Sequence, residues 1–257
     1  MLIDLIKAAR PRQWTKNVIV FAGLIFSQNF FHFPLIVKAL LAFADFCLVS
    51  SAIYYINDIK DIESDRLHPV KRHRPIPSGK IGVGTAWTVA VLLAASSIIL
   101  AFLVDRNLFY LVIGYFVVMV AYTYFLKHVV IIDLMIIGGG FVVRAIAGAV
   151  VVDADISSWL LVCTIFIALF LVIAKRRNEV MLLGEDARNH RKILEEYGAR
   201  FLDQLIAIVT AATLMAYMLY TVDPITIAKF GTENLILTSP FVIFGVFRYL
   251  YLVYQKD

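Results

Sequence analysis

Eight apolar stretches recur along this chain, near residues 17–33, 35–56, 82–103, 108–126, 131–152, 159–174, 201–222 and 237–254. Each comes close to the ~20 residues that an α-helix needs to cross a hydrocarbon core, although several are short or flanked by polar residues. In lipid the backbone must satisfy its own hydrogen bonds, and a helix does so within one segment. With 61% hydrophobic residues, 17% charged residues and a mean hydropathy of +0.83, the chain lies outside the range of soluble domains. The expectation is an all-α, polytopic transmembrane bundle, one integral membrane domain over residues 1–257, with polar loops capping a central cavity.

The bases set the orientation, because short cytoplasmic loops hold the excess of Lys and Arg. Lys7, Arg10, Arg12 and Lys16 precede the first stretch; Lys60, Arg66, Lys71, Arg72, Arg74 and Lys80 lie between the second and third; Lys127 follows the fourth. Lys175, Arg176, Arg177, Arg188, Arg191, Lys192 and Arg200 lie between the sixth and seventh, whereas the alternate loops hold little beyond Arg106 and Lys229. The N-terminus and both long polar loops are therefore expected in the cytoplasm, with the chain in the plasma membrane. The formal charge of +5 is mostly this topology signal; it suits anionic lipids and phosphorylated substrates and gives no argument for nucleic acid. The first eight residues lack the pattern of a signal peptide. Cys47 and Cys163 fall inside apolar runs, with no spacing that suggests zinc or a disulfide.

Charge and amide groups concentrate where the second stretch ends. Asn57-Asp58-Ile59-Lys60-Asp61-Ile62-Glu63-Ser64-Asp65 leads into His68-Pro69-Val70-Lys71-Arg72-His73-Arg74-Pro75. At 3.6 residues per turn, Asn57, Asp58, Asp61 and Asp65 share an arc of roughly 100° on a helix. That is an oxygen donor set suited to Mg²⁺, which takes few protein carboxylates and completes its shell with water and substrate phosphates. The bases that follow suit the same phosphates. The stretch reads as a site for a diphosphate leaving group; a solvated, self-neutralising loop is the plainer reading of such a run.

A second polar loop, 175–200, follows the sixth stretch as 58–80 follows the second, which suggests a duplicated four-helix unit. It is expected to contain a short surface helix. There Arg176 and Glu179 are spaced i,i+3 and Lys175 and Glu179 i,i+4, so ion pairing along one helix explains them on its own. Charges inside the apolar runs are costlier, at least ~2.5–3.5 kcal/mol each on insertion scales. Arg144 lies deep in the fifth stretch, after Gly138-Gly139-Gly140, a run that permits a break or close helix contact; Asp133 lies near its start and Arg248 in the last stretch. An internal pair such as Arg144 with Asp45 and a charged cavity are the two readings.

Asn57-Asp58-x-x-Asp61-x-x-x-Asp65 followed by His68-Pro69-x-Lys71-x-x-Arg74-Pro75-Ile76 resembles the UbiA superfamily of intramembrane prenyltransferases. Arg10-Pro11-x-Gln13-Trp14-x-Lys16-Asn17, Phe141-x-x-Arg144-Ala145-x-Ala147-Gly148, Lys175-Arg176-Arg177-x-Glu179 and Tyr197-x-x-x-Phe201-Leu202-Asp203 extend the likeness over nearly the whole chain. Within that superfamily it looks most like the decaprenyl-phosphate phosphoribosyltransferase branch. Prenyl-transferring members commonly have a second aspartate-rich motif in the later loop; Lys175, Arg176, Glu179, Glu185 and Asp186 stand there instead. The family pattern also implies nine helices, so eight to nine are expected, and eight are counted before Asp257.

The resemblance implies Mg²⁺-dependent transfer of 5-phosphoribose from 5-phosphoribosyl 1-diphosphate to a polyprenyl phosphate, with diphosphate released. It places Asn57, Asp58, Asp61 and Asp65 on the metal and Lys71 and Arg74 on phosphates. Lys175 and Arg176 are expected on the donor's 5-phosphate or the acceptor phosphate, and Glu179 on ribose hydroxyls or a metal. Arg144 is the deep cationic contact; Gln13, Lys16 and Asn17 hold the lipid phosphate at the rim, and Tyr54 joins the substrate-binding set. Asp58, Asp61, Lys71, Arg74, Lys175 and Glu179 form the catalytic group. Membrane lipids, and a second copy of the chain, are the remaining candidate partners. The nearest alternative keeps the fold and moves a prenyl group from a polyprenyl diphosphate to an aromatic or lipid acceptor. A divalent-cation transporter would need carboxylates near mid-membrane in several helices, and only Asp45 and Asp133 qualify.

Overall fold

The computed structural model describes residues 1–28, 31–155, 157–183 and 197–255. Its regular elements are helices, with no strand among the described residues. In chain order these are α1 (Leu2–Ala9), a 3-10 segment (Pro11–Phe21), α2 (Ala22–Phe26), α3 (Phe33–Lys60), α4 (Ile62–Leu67) and a 3-10 turn (Lys71–His73). There follow α5 (Val83–Val104), α6 (Arg106–Tyr124), α7 (Ile132–Val151), α8 (Ser158–Leu183), α9 (Ala199–Val222), α10 (Pro224–Phe230) and α11 (Ser239–Gln255). Among the described residues, seven of the eight apolar stretches become helices long and apolar enough to cross a membrane, the last counted from Asn234 to Gln255. The chain is a multi-pass membrane protein.

The stretch at 17–33 differs. Pro11 starts a 3-10 helix that persists to Phe21, and α2 adds only five residues. A 3-10 run of that length is unusual, and its environment explains it. A Cβ on Gly148 would lie 1.7 Å from the Val20 carbonyl oxygen, and one on Gly23 would lie 2.5 Å from the backbone of Gly148 and Ala149. The segment is thus pressed backbone to backbone against α7, in the manner of small-residue contacts between membrane helices. The close contact expected at Gly138-Gly139-Gly140 is present at Gly138, where a Cβ would lie 3.1 Å from the Leu169 side chain of α8, and a tighter one, at Gly148, lies further along the same helix. α7 runs unbroken through those glycines, and a Cβ at Gly139 would meet open space.

The described residues form two compact units. One comprises Met1–Val129 and Val143–Asp155, the other Val130–Val142 and Ile156–Asp257, so the two halves of α7 belong to different units. In the first unit α3 packs against α5, α6, α1 and the 3-10 segment, burying Phe46, Val49, Leu108, Val112, Ala147 and Val151 among others. Local chemistry sets the helix starts. Asp105 accepts from the backbone N–H groups of Asn107 (2.7 Å) and Leu108 (3.0 Å) at the start of α6, satisfying donors that a helix start leaves open. In the second unit α9 packs on α8, α10 and α11, around Phe170, Ile173, Leu202 and Ile206. Asp223 caps α10 by accepting from Thr226 N–H at 3.1 Å. The surface helix expected in the later loop, with Glu185 and Asp186, lies outside the described residues.

Candidate active site

The aspartate-rich motif does not continue as one helix. α3 ends at Lys60, Asp61 leaves the helical region (φ −98, ψ 13), and α4 begins at Ile62. Backbone bonds from Asp61 N–H to Asn57 and from Asp65 N–H to Asp61 still bridge the interruption, so the motif stays together while its side chains diverge. Asp58 and Asp65 converge: Arg74 Nη1 donates to Asp58 Oδ1 at 3.1 Å and to Asp65 Oδ2 at 2.7 Å. Lys71 Nζ lies 3.8 Å from Asp65 Oδ1. Asp61 is paired with Lys127, and half-buried Asn57 occupies the last turn of α3. A single ideal helix would have turned all four side chains to one side; the break at Asp61 sends its carboxylate to the segment after α6. Among the described residues no group of three or more His, Cys, Asp or Glu is placed to hold a metal ion.

Asp58 is the most committed of the set. It is 1% exposed, accepts from both Arg10 and Arg74 at Oδ1, and its Oδ2 is buried with no hydrogen-bond partner. Arg10 also lies over the Tyr54 ring, 4.9 Å from its centroid. The loop that delivers Arg74 is folded by its own bonds. His68 Nδ1 accepts from the N–H groups of Val70 (3.1 Å) and Lys71 (3.3 Å), Arg66 Nε donates to the Pro77 carbonyl at 3.0 Å, and Pro75, Ile76 and Pro77 are buried. The His-Pro and Arg-Pro-Ile pattern is thus a scaffold for one guanidinium.

Of the residues expected to hold the lipid phosphate at the cytoplasmic rim, Gln13 and Lys16 are half-buried on the 3-10 segment, but Asn17 is 1% exposed. Its amide donates to Cys47 Sγ at 3.3 Å and its carbonyl accepts from Arg144 Nε at 2.7 Å. Asn17 is thus engaged within the fold, on Cys47 and Arg144. Arg144 also donates to Tyr115 Oη (2.6 Å) and Ser50 Oγ (3.2 Å) and lies over the rings of Tyr115 and Phe46. Asp45 accepts from Ser97 at 2.7 Å, with its other oxygen unpartnered.

In the second unit, Lys175, Arg176 and Glu179 lie on α8, which continues to Leu183 rather than giving way to a loop at 175. The i,i+3 pair forms, Arg176 Nη1 to Glu179 at 2.7 Å, and Arg176 Nη2 reaches Asp133 at 2.7 Å. Arg176 is 3% exposed, held between two carboxylates, whereas Lys175 is exposed and Glu179 partly so. Tyr197 donates to Asp133 Oδ1 and accepts from Ile131 N–H, both at 2.6 Å. Burial, and then the bond to Asp133, push the Tyr197 hydroxyl above its ordinary range, so it stays protonated and remains a donor. Arg177 is fixed separately by Asp203 at 2.6 Å and by the Tyr254 ring at 4.1 Å.

Arg10 and Lys127 are the site residues that the sequence did not single out. Neither carries a site role in the sequence, and their partners lie 48 and 66 residues away, a separation that leaves no local pattern. The only local trace of Arg10 was its place in the Arg10-Pro11-x-Gln13-Trp14 stretch.

The model of the UbiA prenyltransferase family matches residues 17–257. A decaprenyl-phosphate phosphoribosyltransferase of Mycolicibacterium smegmatis is 37% identical over 224 residues, covering 86% of this chain and 70% of the relative. The enzyme of the same name from Corynebacterium glutamicum is 39% identical over 223 residues, covering 85% and 67%. Among solved structures, a UbiA homolog from Archaeoglobus fulgidus bound to DMAPP and Mg²⁺ superposes with a TM-score of 0.79 at 16% identity, over 99% of this chain and 88% of that one, a likeness of fold. On these grounds the chain belongs to the UbiA prenyltransferase family.

Proposed function

We propose that this protein transfers 5-phosphoribose from 5-phosphoribosyl 1-diphosphate to a polyprenyl phosphate, releasing diphosphate, in a Mg²⁺-dependent reaction at the cytoplasmic face of the plasma membrane. The observation that carries the reading is a buried carboxylate, Asp58, with an orphaned oxygen beside a set of bases, in a chain whose relatives named for this transfer are 37% and 39% identical. Asp58 and Asp65 share Arg74, and two carboxylates are enough for Mg²⁺, which draws the rest of its shell from water and substrate phosphates. The residues present therefore fit the metal. Mg²⁺ held by Asp58 and Asp65, with Asn57 and Asp61 adjoining, would neutralise charge that builds on the diphosphate as it leaves.

The chain's own groups do the rest by charge and position. The acceptor phosphate is already an anion at neutral pH, so no general base is needed to make a nucleophile. Bond breaking at the ribose anomeric carbon requires stabilised negative charge on the leaving group, and fixed cations in a water-poor setting are the strongest means to that end. Arg74 and Lys71, on a loop ordered by His68 and Arg66, supply them. Lys175 is assigned to a substrate phosphate and Glu179 to ribose hydroxyls or metal, as the resemblance implies. The contacts of Arg176 and Arg144 favour a different part for both, fixing Glu179 in one unit and Asn17 with Tyr115 in the other.

The alternative donor is a polyprenyl diphosphate, and the fold shared with a homolog bound to DMAPP favours testing it. Radiolabelled phosphoribosyl diphosphate and radiolabelled prenyl diphosphate, offered in parallel with polyprenyl phosphate or an aromatic acceptor, separate the two. The reading predicts label in the lipid product from the first donor. Transfer from the second donor alone would reassign the chain to prenyl transfer.

A further inference from the structure

Every aspartate of the motif is engaged by a cation of the chain itself: Asp58 by Arg10 and Arg74, Asp65 by Arg74 and Lys71, Asp61 by Lys127. Arg10 has the most distinctive geometry of these cations. It sits in the left-handed region, φ 55, between α1 and the 3-10 segment, where side-chain-bearing residues are uncommon. The backbone before it is pinned by Tyr55, whose hydroxyl donates to the Leu5 carbonyl at 2.7 Å, and by Ser51, which donates to the Ala9 carbonyl at 3.1 Å. Its side chain is 24% exposed while that of its partner Asp58 is 1% exposed. One end of this ion pair is therefore accessible, and the buried end retains an unpartnered oxygen.

A side-chain cation on a carboxylate competes with a metal ion for the same charge. A metal ion arriving alone must either displace the guanidinium or sit beside it, and in both cases two cations face each other with no new anion between them. A metal ion arriving with a diphosphate brings that anion. The guanidinium can then leave carboxylate for phosphate, a partner that its planar fork suits as well.

We propose that Arg10 is a phosphate-binding residue of this site that holds Asp58 until a diphosphate arrives, so that metal and diphosphate bind synergistically. The inference rests on the assignment of this cluster to a metal and a diphosphate. Linkage makes the effect reciprocal: the factor by which diphosphate tightens metal binding equals the factor by which metal tightens diphosphate binding.

The test uses the full-length protein in detergent as wild type, Arg10→Gln and Arg10→Lys. Mn²⁺ alone is titrated by electron paramagnetic resonance, and labelled inorganic diphosphate is titrated by equilibrium dialysis at fixed Mg²⁺. Arg10→Gln is expected to bind Mn²⁺ alone about ten-fold more tightly and diphosphate about ten-fold more weakly, within the range usual for coupled sites. Arg10→Lys, which keeps the charge but not the fork, should stay near wild type for Mn²⁺ alone and bind diphosphate with an affinity between those of wild type and Arg10→Gln. Weakening in both titrations is what simple loosening of α1 gives and would overturn the proposal, as would no change in either. Phosphoribosyl transfer by the wild type on the same preparation separates two failures. Transfer without the opposed shifts removes the role of Arg10 alone, whereas opposed shifts without transfer keep that role and remove the donor assignment.

Discussion

Asp58 and Arg144 are both buried charges, and their surroundings give them different work. Arg144 donates to Asn17, Ser50 and Tyr115 and lies over Phe46, an arrangement that ties the 3-10 segment, α3 and α6 to α7. Asp58 faces two guanidinium groups and keeps one oxygen unpartnered, which is a poor arrangement for stability alone because an unmet buried acceptor is costly. Asp58→Asn keeps the shape and removes the charge. It should leave thermal unfolding in detergent near that of the wild type and lower Mg²⁺-dependent turnover by about 10²-fold or more, the usual loss when one group leaves a preorganised charge-stabilising set. Normal turnover in that variant would dismiss the metal assignment. At this scale the sequence marks the acids as candidates by their spacing on one helix, but the break at Asp61 parts its carboxylate from those of Asp58 and Asp65. The sequence could not show their partners, since Arg10–Asp58 and Lys127–Asp61 join distant parts of the chain.

Among the elements, the long apolar helices were legible because length and hydropathy alone determine whether a segment can span lipid. Three features were not. α3 stops at Lys60 and restarts as α4 with no Gly or Pro to announce it. α8 extends past the apolar run to Leu183, because Lys175, Arg176, Arg177 and Glu179 are good helix formers and the charges of the last three find partners on the helix itself or on Asp133 and Asp203. The 3-10 segment, finally, depends on a contact with α7 that only Gly148 allows. Gly148→Ala would force backbone apart at Val20, where no flexible side chain can yield, so the cost should exceed the ~1–3 kcal/mol typical of overpacking. The expected outcome is a protein that fails to accumulate or melts well below wild type, read by fluorescence size-exclusion after a heating series. Gly139→Ala, made where there is open space, should behave as wild type; equal behaviour of both variants would contradict the close contact.

The chain is a multi-pass membrane protein with one charged cluster at the end of α3 and another along the end of α8. The excess of bases in the loops that carry these clusters predicts that they share the cytoplasmic side. A single cysteine at exposed Ser78 should react with a membrane-impermeant maleimide only after permeabilisation, and one at exposed Glu233 should react in intact cells; the reverse pattern would invert the topology. The donor and its metal define the proposed reaction. The most direct measurement is the transfer of radiolabel from phosphoribosyl diphosphate into the organic-extractable lipid by purified protein given a polyprenyl phosphate, with Mg²⁺ and with EDTA. Label entering the lipid with Mg²⁺ and staying in the aqueous phase with EDTA is the result predicted. Transfer unaffected by EDTA, or no transfer by a preparation that prenylates an aromatic acceptor, would contradict it.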